Sequence, residues 1–134
     1  MSHWLCLAAC VAATMTALDC ERARAEQPVG TQAQGEVAAG GQAILNGYRR
    51  YNSACNHCHG PDGVGSTFAP SLIERPLPYP RFEEVVEQGS ASGTSVMRGF
   101  ADDPNVAPYV RDIWLYLEAR ADGSVGRGRP TPHP

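Results

Sequence analysis

Cys55-Asn56-His57-Cys58-His59 sits between Gln42-Ala43-Ile44-Leu45-Asn46-Gly47-Tyr48-Arg49-Arg50-Tyr51, whose Ile44, Tyr48 and Tyr51 recur at helical spacing, and the turn cluster Gly60-Pro61-Asp62-Gly63-Val64-Gly65. Three chemistries use two cysteines at this separation. A thioredoxin-like redox pair needs a strand before it and a long helix after it, and here a helix precedes and a turn follows. A structural zinc site needs a second pair of ligands. Cys6, Cys10 and Cys20 lie in the N-terminal segment, and downstream of the motif the only further His is His133 in a Pro-rich end. The remaining chemistry is covalent haem attachment, in which both thiols add to the porphyrin vinyl groups and the adjacent His59 becomes an axial iron ligand. Two thioethers three residues apart fit the porphyrin edge across one helical turn, and the next residue then projects beneath the iron. His57, between the two cysteines, should point away from it.

The chain has 134 residues, enough for one domain of ordinary size with targeting and tail segments. Gly 14 and Pro 11 indicate a small, loop-rich domain, of the kind that needs a staple, metal or cofactor to supplement its core. The net charge of -3 argues against a nucleic-acid partner. All the basic residues are Arg, so a docking face ringed by Lys is excluded.

From Trp4 to Leu18 the chain is apolar over roughly fifteen residues, shorter than the roughly 20 that span a bilayer. Ala23-Arg24-Ala25 then supplies the small-x-small pattern of a cleaved export signal. Cleavage after Ala25 removes Cys6, Cys10 and Cys20 and leaves Cys55 and Cys58 as the only thiols, with no membrane span in the mature form. The n-region offers only His3 and the amino terminus as positive groups, so an uncleaved anchor is the alternative. Leu7-Ala8-Ala9-Cys10 has the look of a lipoprotein box but falls inside the apolar run. The expected organisation is therefore a signal peptide at 1–25, a flexible segment at 26–41, the domain at 42–123 and a disordered Gly/Arg/Pro-rich tail at 124–134.

A six-coordinate haem iron held by His and Met serves as an electron carrier. Met1 and Met15 leave with the signal, so Met97 is the one thioether of the mature chain and the candidate sixth ligand. It lies beyond a helix and a flexible Gly/Ser stretch, which gives the chain length to cross to the far face. The competing reading is a methionine that fills a gap in the core. An axial imidazole also needs its second nitrogen held by an acceptor. The stiff Pro70 in Thr67-Phe68-Ala69-Pro70 offers its carbonyl, the alternative being a turn proline that never meets the ring.

Two more helices are expected. One starts at Pro80 and ends at Gly89 with Phe82, Val85 and Val86 inward. The last follows the cap chemistry of Asp103-Pro104-Asn105 and carries Val110, Ile113, Trp114 and Leu117 on one face. That face should cross the first helix at Gly47, with Trp114 packing over the contact.

These features resemble a class I cytochrome c: Gly47-x-x-x-Tyr51, Cys55, Cys58 and His59, Met97 downstream, and an aromatic-bearing terminal helix. Gly47-Tyr48-Arg49-Arg50-Tyr51, Cys58-His59-Gly60-Pro61-Asp62-Gly63-x-Gly65-Ser66-Thr67 and Asp112-Ile113-x-x-Tyr116-Leu117-x-Ala119-Arg120-Ala121-Asp122-Gly123 are similar to the methanol metabolism-related c-type cytochromes of bacteria. The resemblance covers about residues 42–130 and implies an all-α fold of three to five helices around one covalently attached haem. It implies a periplasmic, monomeric one-electron carrier rather than an enzyme, with a PQQ-dependent alcohol (methanol) dehydrogenase as donor and a terminal oxidase or another cytochrome as acceptor. The rival readings are a five-coordinate haem gas-sensing or binding module and a subunit that stays on its dehydrogenase. Two departures stand out: Arg98 follows Met97 where many class I members have Pro, and no cysteine beyond the attachment pair remains after cleavage, where the subfamily often carries two more.

Overall fold

A computed structural model describes residues 29–93 and 95–131, with side chains from residue 40 onward. The expected signal peptide and cleavage after Ala25, with Cys6, Cys10, Cys20 and His133, lie outside the described residues. The chain divides into a unit of residues 1–33 and a unit of residues 34–134, and the core and the cysteine motif lie in the second. No helix among the described residues is long and apolar enough to cross a membrane.

Among the described residues, four α-helices carry the fold: α1 at Val29–Ala54, α2 at Asn56–His59, α3 at Tyr79–Gln88 and α4 at Val110–Ala121. Residues 29–41, expected as part of a flexible segment, are helical. The segment contains no proline, and its Ala, Gln and Glu residues favour a helix that continues through Gly30, Gly35 and Gly40-Gly41. The expectation of an all-α cytochrome fold is borne out, with one addition. Ser90–Ser92 and Ser95–Met97 form a two-stranded antiparallel hairpin, β1 and β2, pairing Ser90 with Met97 and Ala91 with Val96.

The core gathers Tyr51 from α1, Phe82 and Val86 from α3, Phe100 and Val106 from the following loop, and Val110, Ile113, Tyr116 and Leu117 from α4. Phe82 and Val86 lie four apart on α3 and so share one face, with Val85 half-buried beside them. Pro80 in its first turn and Gly89 at its end bound this helix. Asp103 acts one turn earlier than expected: its carboxylate accepts from Asn105 N at 2.9 Å, and its carbonyl accepts from Val106 and Ala107. A 3₁₀ turn at Ala107–Tyr109 then leads into α4, which has no side-chain N-cap of its own.

α1 and α4 meet at Gly47, where a Cβ would collide with the Asp112 carbonyl. Asn46 Nδ2 donates to Asp112 Oδ2 at 2.5 Å beside that crossing. The aromatic packed over it is Tyr116, whose ring meets Tyr48 edge-on at 5.5 Å and Tyr51 at 5.7 Å. This corrects the expected role of Trp114, which instead packs on Tyr79 at 5.6 Å and donates its indole N–H to Leu77 O at 2.9 Å. A tyrosine is fully buried here because its hydroxyl has an acceptor, the Asp62 carboxylate, so it ranks with the apolar stripe.

The tail also departs from expectation. Val125 N donates to Ala119 O at 2.9 Å, Arg120 Nη1 donates to Val125 O at 2.7 Å, and Pro130 is buried. Residues 124–131 therefore fold back on the domain, because backbone groups freed at the end of α4 find partners there.

Candidate functional site

Cys55 N donates to Tyr51 O at 2.8 Å, continuing the α1 hydrogen-bond pattern up to the motif. Cys58 N and His59 N both donate to Cys55 O, at 3.2 and 3.0 Å. Cys55, Cys58 and His59 thus occupy a single helical turn, where residues three and four apart share a face. Both cysteines are free thiols, Cys58 exposed and Cys55 half-buried against the core. Burial, and secondarily the neighbouring Cys58, pushes the Cys55 thiol up to about 11. His57 is exposed and His59 is buried.

The His59 ring is held from one side. Its Nδ1 lies 3.0 Å from the Pro70 carbonyl oxygen, the acceptor nominated by the sequence. A carbonyl has no proton to give, so Nδ1–H donates and Nε2 is left with its lone pair free. The loop that brings Pro70 back to His59 is closed at several points. Gly65 N donates to His59 O at 2.8 Å, Ser66 N to Ala69 O at 2.9 Å, and Leu72 N to Gly63 O at 2.8 Å. Ser66 Oγ donates to Cys58 O. Ser71 Oγ donates to Gly63 O at 3.2 Å. Beneath the loop, the buried Tyr51 hydroxyl donates to Gly60 O at 2.6 Å.

Met97 ends β2, half-buried against the core cluster. Just after it, Phe100 N donates to Val86 O at 2.9 Å and Ala101 N to Glu87 O at 3.3 Å, which ties the segment to the end of α3. Arg98 lies over the Phe100 ring at 4.5 Å and 3.7 Å from Asp103 Oδ2. The hairpin that delivers Met97 escaped the sequence reading, which saw only a flexible Gly/Ser stretch. Gly93 between the short runs Ser90-Ala91-Ser92 and Ser95-Val96-Met97 is the turn signal that the sequence carries.

These residues fit a covalent haem. Two free thiols and an imidazole with one nitrogen committed to a carbonyl are the donor set that such a group requires. Large apolar side chains also stand exposed on the two segments concerned, Phe68 at 75% before Pro70 and Val96 at 78% before Met97. A bare cation has less to bind, since among the described residues no three His, Cys, Asp or Glu are arranged to hold a metal ion. An open cleft of about 650 Å³ lined by Glu87, Arg98, Asp102, Asp103 and Asn105 includes none of the motif residues.

Comparison with known proteins agrees with this chemistry. Residues 42–117 match the family described as cytochrome C oxidase, cbb3-type, subunit III. Cytochrome c-553I of Paracoccus denitrificans is 44% identical over 94 residues, covering 66% of this chain and 42% of that protein. Cytochrome c-555 of Methylococcus capsulatus is 34% identical over 90 residues, covering 65% of this chain and 70% of that one. The crystal structure of the c-type cytochrome XoxG from Methylobacterium extorquens AM1 superposes with a TM-score of 0.62 at 44% identity, over 66% of this chain and 57% of that chain. The chain spans less than half the length of c-553I and about seven tenths of c-555. With the family matched over most of residues 42–123, the chain belongs to the class I c-type cytochromes, whose cofactor is covalently bound haem c.

Proposed function

We propose that this chain is an exported, periplasmic one-electron carrier with one haem c, bonded through Cys55 and Cys58 and ligated by His59 Nε2 and Met97 Sδ. A quinoprotein alcohol dehydrogenase is its donor, and a terminal oxidase or a second cytochrome is its acceptor. The bound haem supplies a ferric/ferrous couple; the chain supplies ligands, orientation and a water-poor setting. The observation that carries the reading is the 3.0 Å approach of His59 Nδ1 to the Pro70 carbonyl. That hydrogen bond fixes the tautomer in which Nε2 can ligate, and it raises the basicity of the ring. Met97 would add a thioether, which would favour the reduced metal and occupy its remaining coordination position, a donor set suited to passing electrons and not to binding a substrate. Docking on each partner is transient and small in area, with any charge steering supplied by Arg or by acidic side chains. The dehydrogenase rests on the resemblance to methanol metabolism-related cytochromes.

The test is the absorption spectrum of the oxidised protein. A far-red sulfur-to-iron charge-transfer band is expected in the wild type and absent in Met97→Ala, whose reduction potential falls and whose iron takes up added cyanide or imidazole faster. A wild type without the band, or a variant with unchanged potential and spin state, turns the reading toward the five-coordinate haem module. Rapid reduction by a purified PQQ-dependent alcohol dehydrogenase supplied with methanol tests the donor. A carrier that stays oxidised in that assay removes the donor and leaves the ligand set standing.

A further inference from the structure

Asp62 is the one non-glycine residue with a positive φ among the described residues, at 58°, and its side chain is buried. Glycine or asparagine would occupy this left-handed position at less cost, so the carboxylate needs its own explanation. Three donors converge on it. Tyr116 OH lies 3.2 Å and Gly128 N 3.0 Å from Oδ1, and Arg127 Nε lies 3.4 Å from Oδ2. Two of these donors come from the C-terminal tail, which the bonds at Val125 and Arg120 turn back toward this point.

The next residue carries the effect onward. Gly63 O accepts from Leu72 N at 2.8 Å and from Ser71 Oγ at 3.2 Å. Ser71 and Leu72 follow Pro70 directly, and Pro70 O receives the His59 Nδ1 proton. A continuous run of hydrogen bonds and peptide units therefore leads from the tail, through Asp62 and Gly63, to the carbonyl that orients the imidazole. We propose that Asp62 and the tail residues Arg127 and Gly128 form a positioning unit that presses the Pro70 carbonyl onto His59 and thereby favours the oxidised state of the haem. This rests on His59 being an axial ligand.

The sign of the effect separates positioning from simple charge. A firm Nδ1–H···O=C bond makes the imidazole a stronger donor to the metal, which favours the ferric state, so loosening it raises the potential. Deleting residues 127–134 also removes the cations Arg127 and Arg129. On Coulomb grounds alone, losing positive charge favours the ferric state and lowers the potential. The two mechanisms predict opposite shifts from one truncation.

The experiment compares wild-type holoprotein with the chain truncated after Gly126 and with Asp62→Asn and Arg127→Gln, the last keeping the tail in case truncation prevents folding. At fixed ambient potential the ferrous-to-ferric ratio is expected to rise three- to tenfold in the truncated protein, tenfold being about 59 mV for a one-electron couple. A rise of the same sign is expected for Asp62→Asn, and a smaller one for Arg127→Gln. The His59 Nδ1–H resonance of the ferrous protein should move upfield and exchange faster with solvent in all three. A ratio that falls or stays constant, or an unmoved Nδ1–H resonance, overturns the proposal. If wild-type protein lacks the low-spin signature of an imidazole-ligated iron, the ligand assignment has failed instead, and that outcome is visible before any variant is made.

Discussion

Between His59 and Leu72 the backbone closes on itself, with Gly65 bonded to His59, Ser66 to Ala69, Leu72 to Gly63, and the Tyr51 hydroxyl fastening Gly60 from below. Between Met97 and Asp103 the chain leans on α3 through Phe100 and Ala101, and Arg98 reaches Asp103 at the surface. The two candidate ligands call for different supports. An imidazole has two nitrogens and a ring plane, so its tautomer and orientation both have to be set. A thioether has no proton to place and sits on a flexible stem, so a correctly delivered backbone suffices. Rigidity on one side and latitude on the other follow from ligand chemistry.

The largest expected effect tests the rigid side. Gly65 adopts a φ of 88°, and a Cβ there would come within 2.7 Å of Ser71 N and 3.1 Å of the Pro70 carbonyl carbon. Gly65→Ala adds backbone strain to a steric push on the loop, and should cost about 3 kcal/mol in denaturant unfolding of the holoprotein. Because the push falls on Pro70, the His59 Nδ1–H resonance should shift as well. A loss below about 1 kcal/mol with an unmoved resonance would mean that this loop yields as easily as the methionine segment.

Tyr51→Phe comes next. It leaves the Gly60 carbonyl without its partner inside the protein, a cost of about 1–2 kcal/mol. The same hydroxyl predicts a pH dependence. Burial raises the Tyr51 pKa, reinforced by Cys55 and Asp62 and opposed by the Gly63 backbone; burial and Asp62 raise that of Tyr116, with Arg120 opposing. Both are neutral acids with folded values above their unfolded value near 10. Their contribution to stability is therefore complete below about pH 10 and is lost as the pH climbs toward the folded values. Unfolding free energy should fall above pH 10, and Tyr51→Phe should flatten that decline. Identical alkaline slopes in variant and wild type would remove Tyr51 from the cause.

Much of this contrast could be read from residue order, though unevenly. The helix before the motif, the inward Phe82 and Val86, and the α1–α4 crossing at Gly47 follow local periodicity or a missing side chain, both legible in one dimension. Tyr116 displaced Trp114 at that crossing because its hydroxyl is satisfied by Asp62, 54 positions away, a pairing no local window contains. The composition of the tail predicts disorder, since its Gly, Arg and Pro bury little apolar area. Its order comes from Asp62 and from the backbone groups at the end of α4, which composition does not register. The hairpin before Met97 lacks alternation, as Ser and Ala fill most of its positions.

Arg98 gives the smallest effect and the sharpest check on the loose side. Its guanidinium is three-quarters exposed, 3.7 Å from Asp103 and over the Phe100 ring at 4.5 Å. An exposed pair at that separation contributes no more than about 1 kcal/mol, and a partly solvated cation–π contact adds a similar amount at most. Arg98→Ala should therefore cost about 1 kcal/mol and leave the far-red band of the oxidised protein in place. Part of that cost should vanish in 1 M salt, where charges are screened within about 3 Å, while the ring contact persists. If the band disappears, or the loss passes about 2 kcal/mol, then Arg98 performs for Met97 the service that the Pro70 carbonyl performs for His59. The methionine segment would then depend on a specific side-chain clamp, standing in for the proline many relatives carry after the methionine.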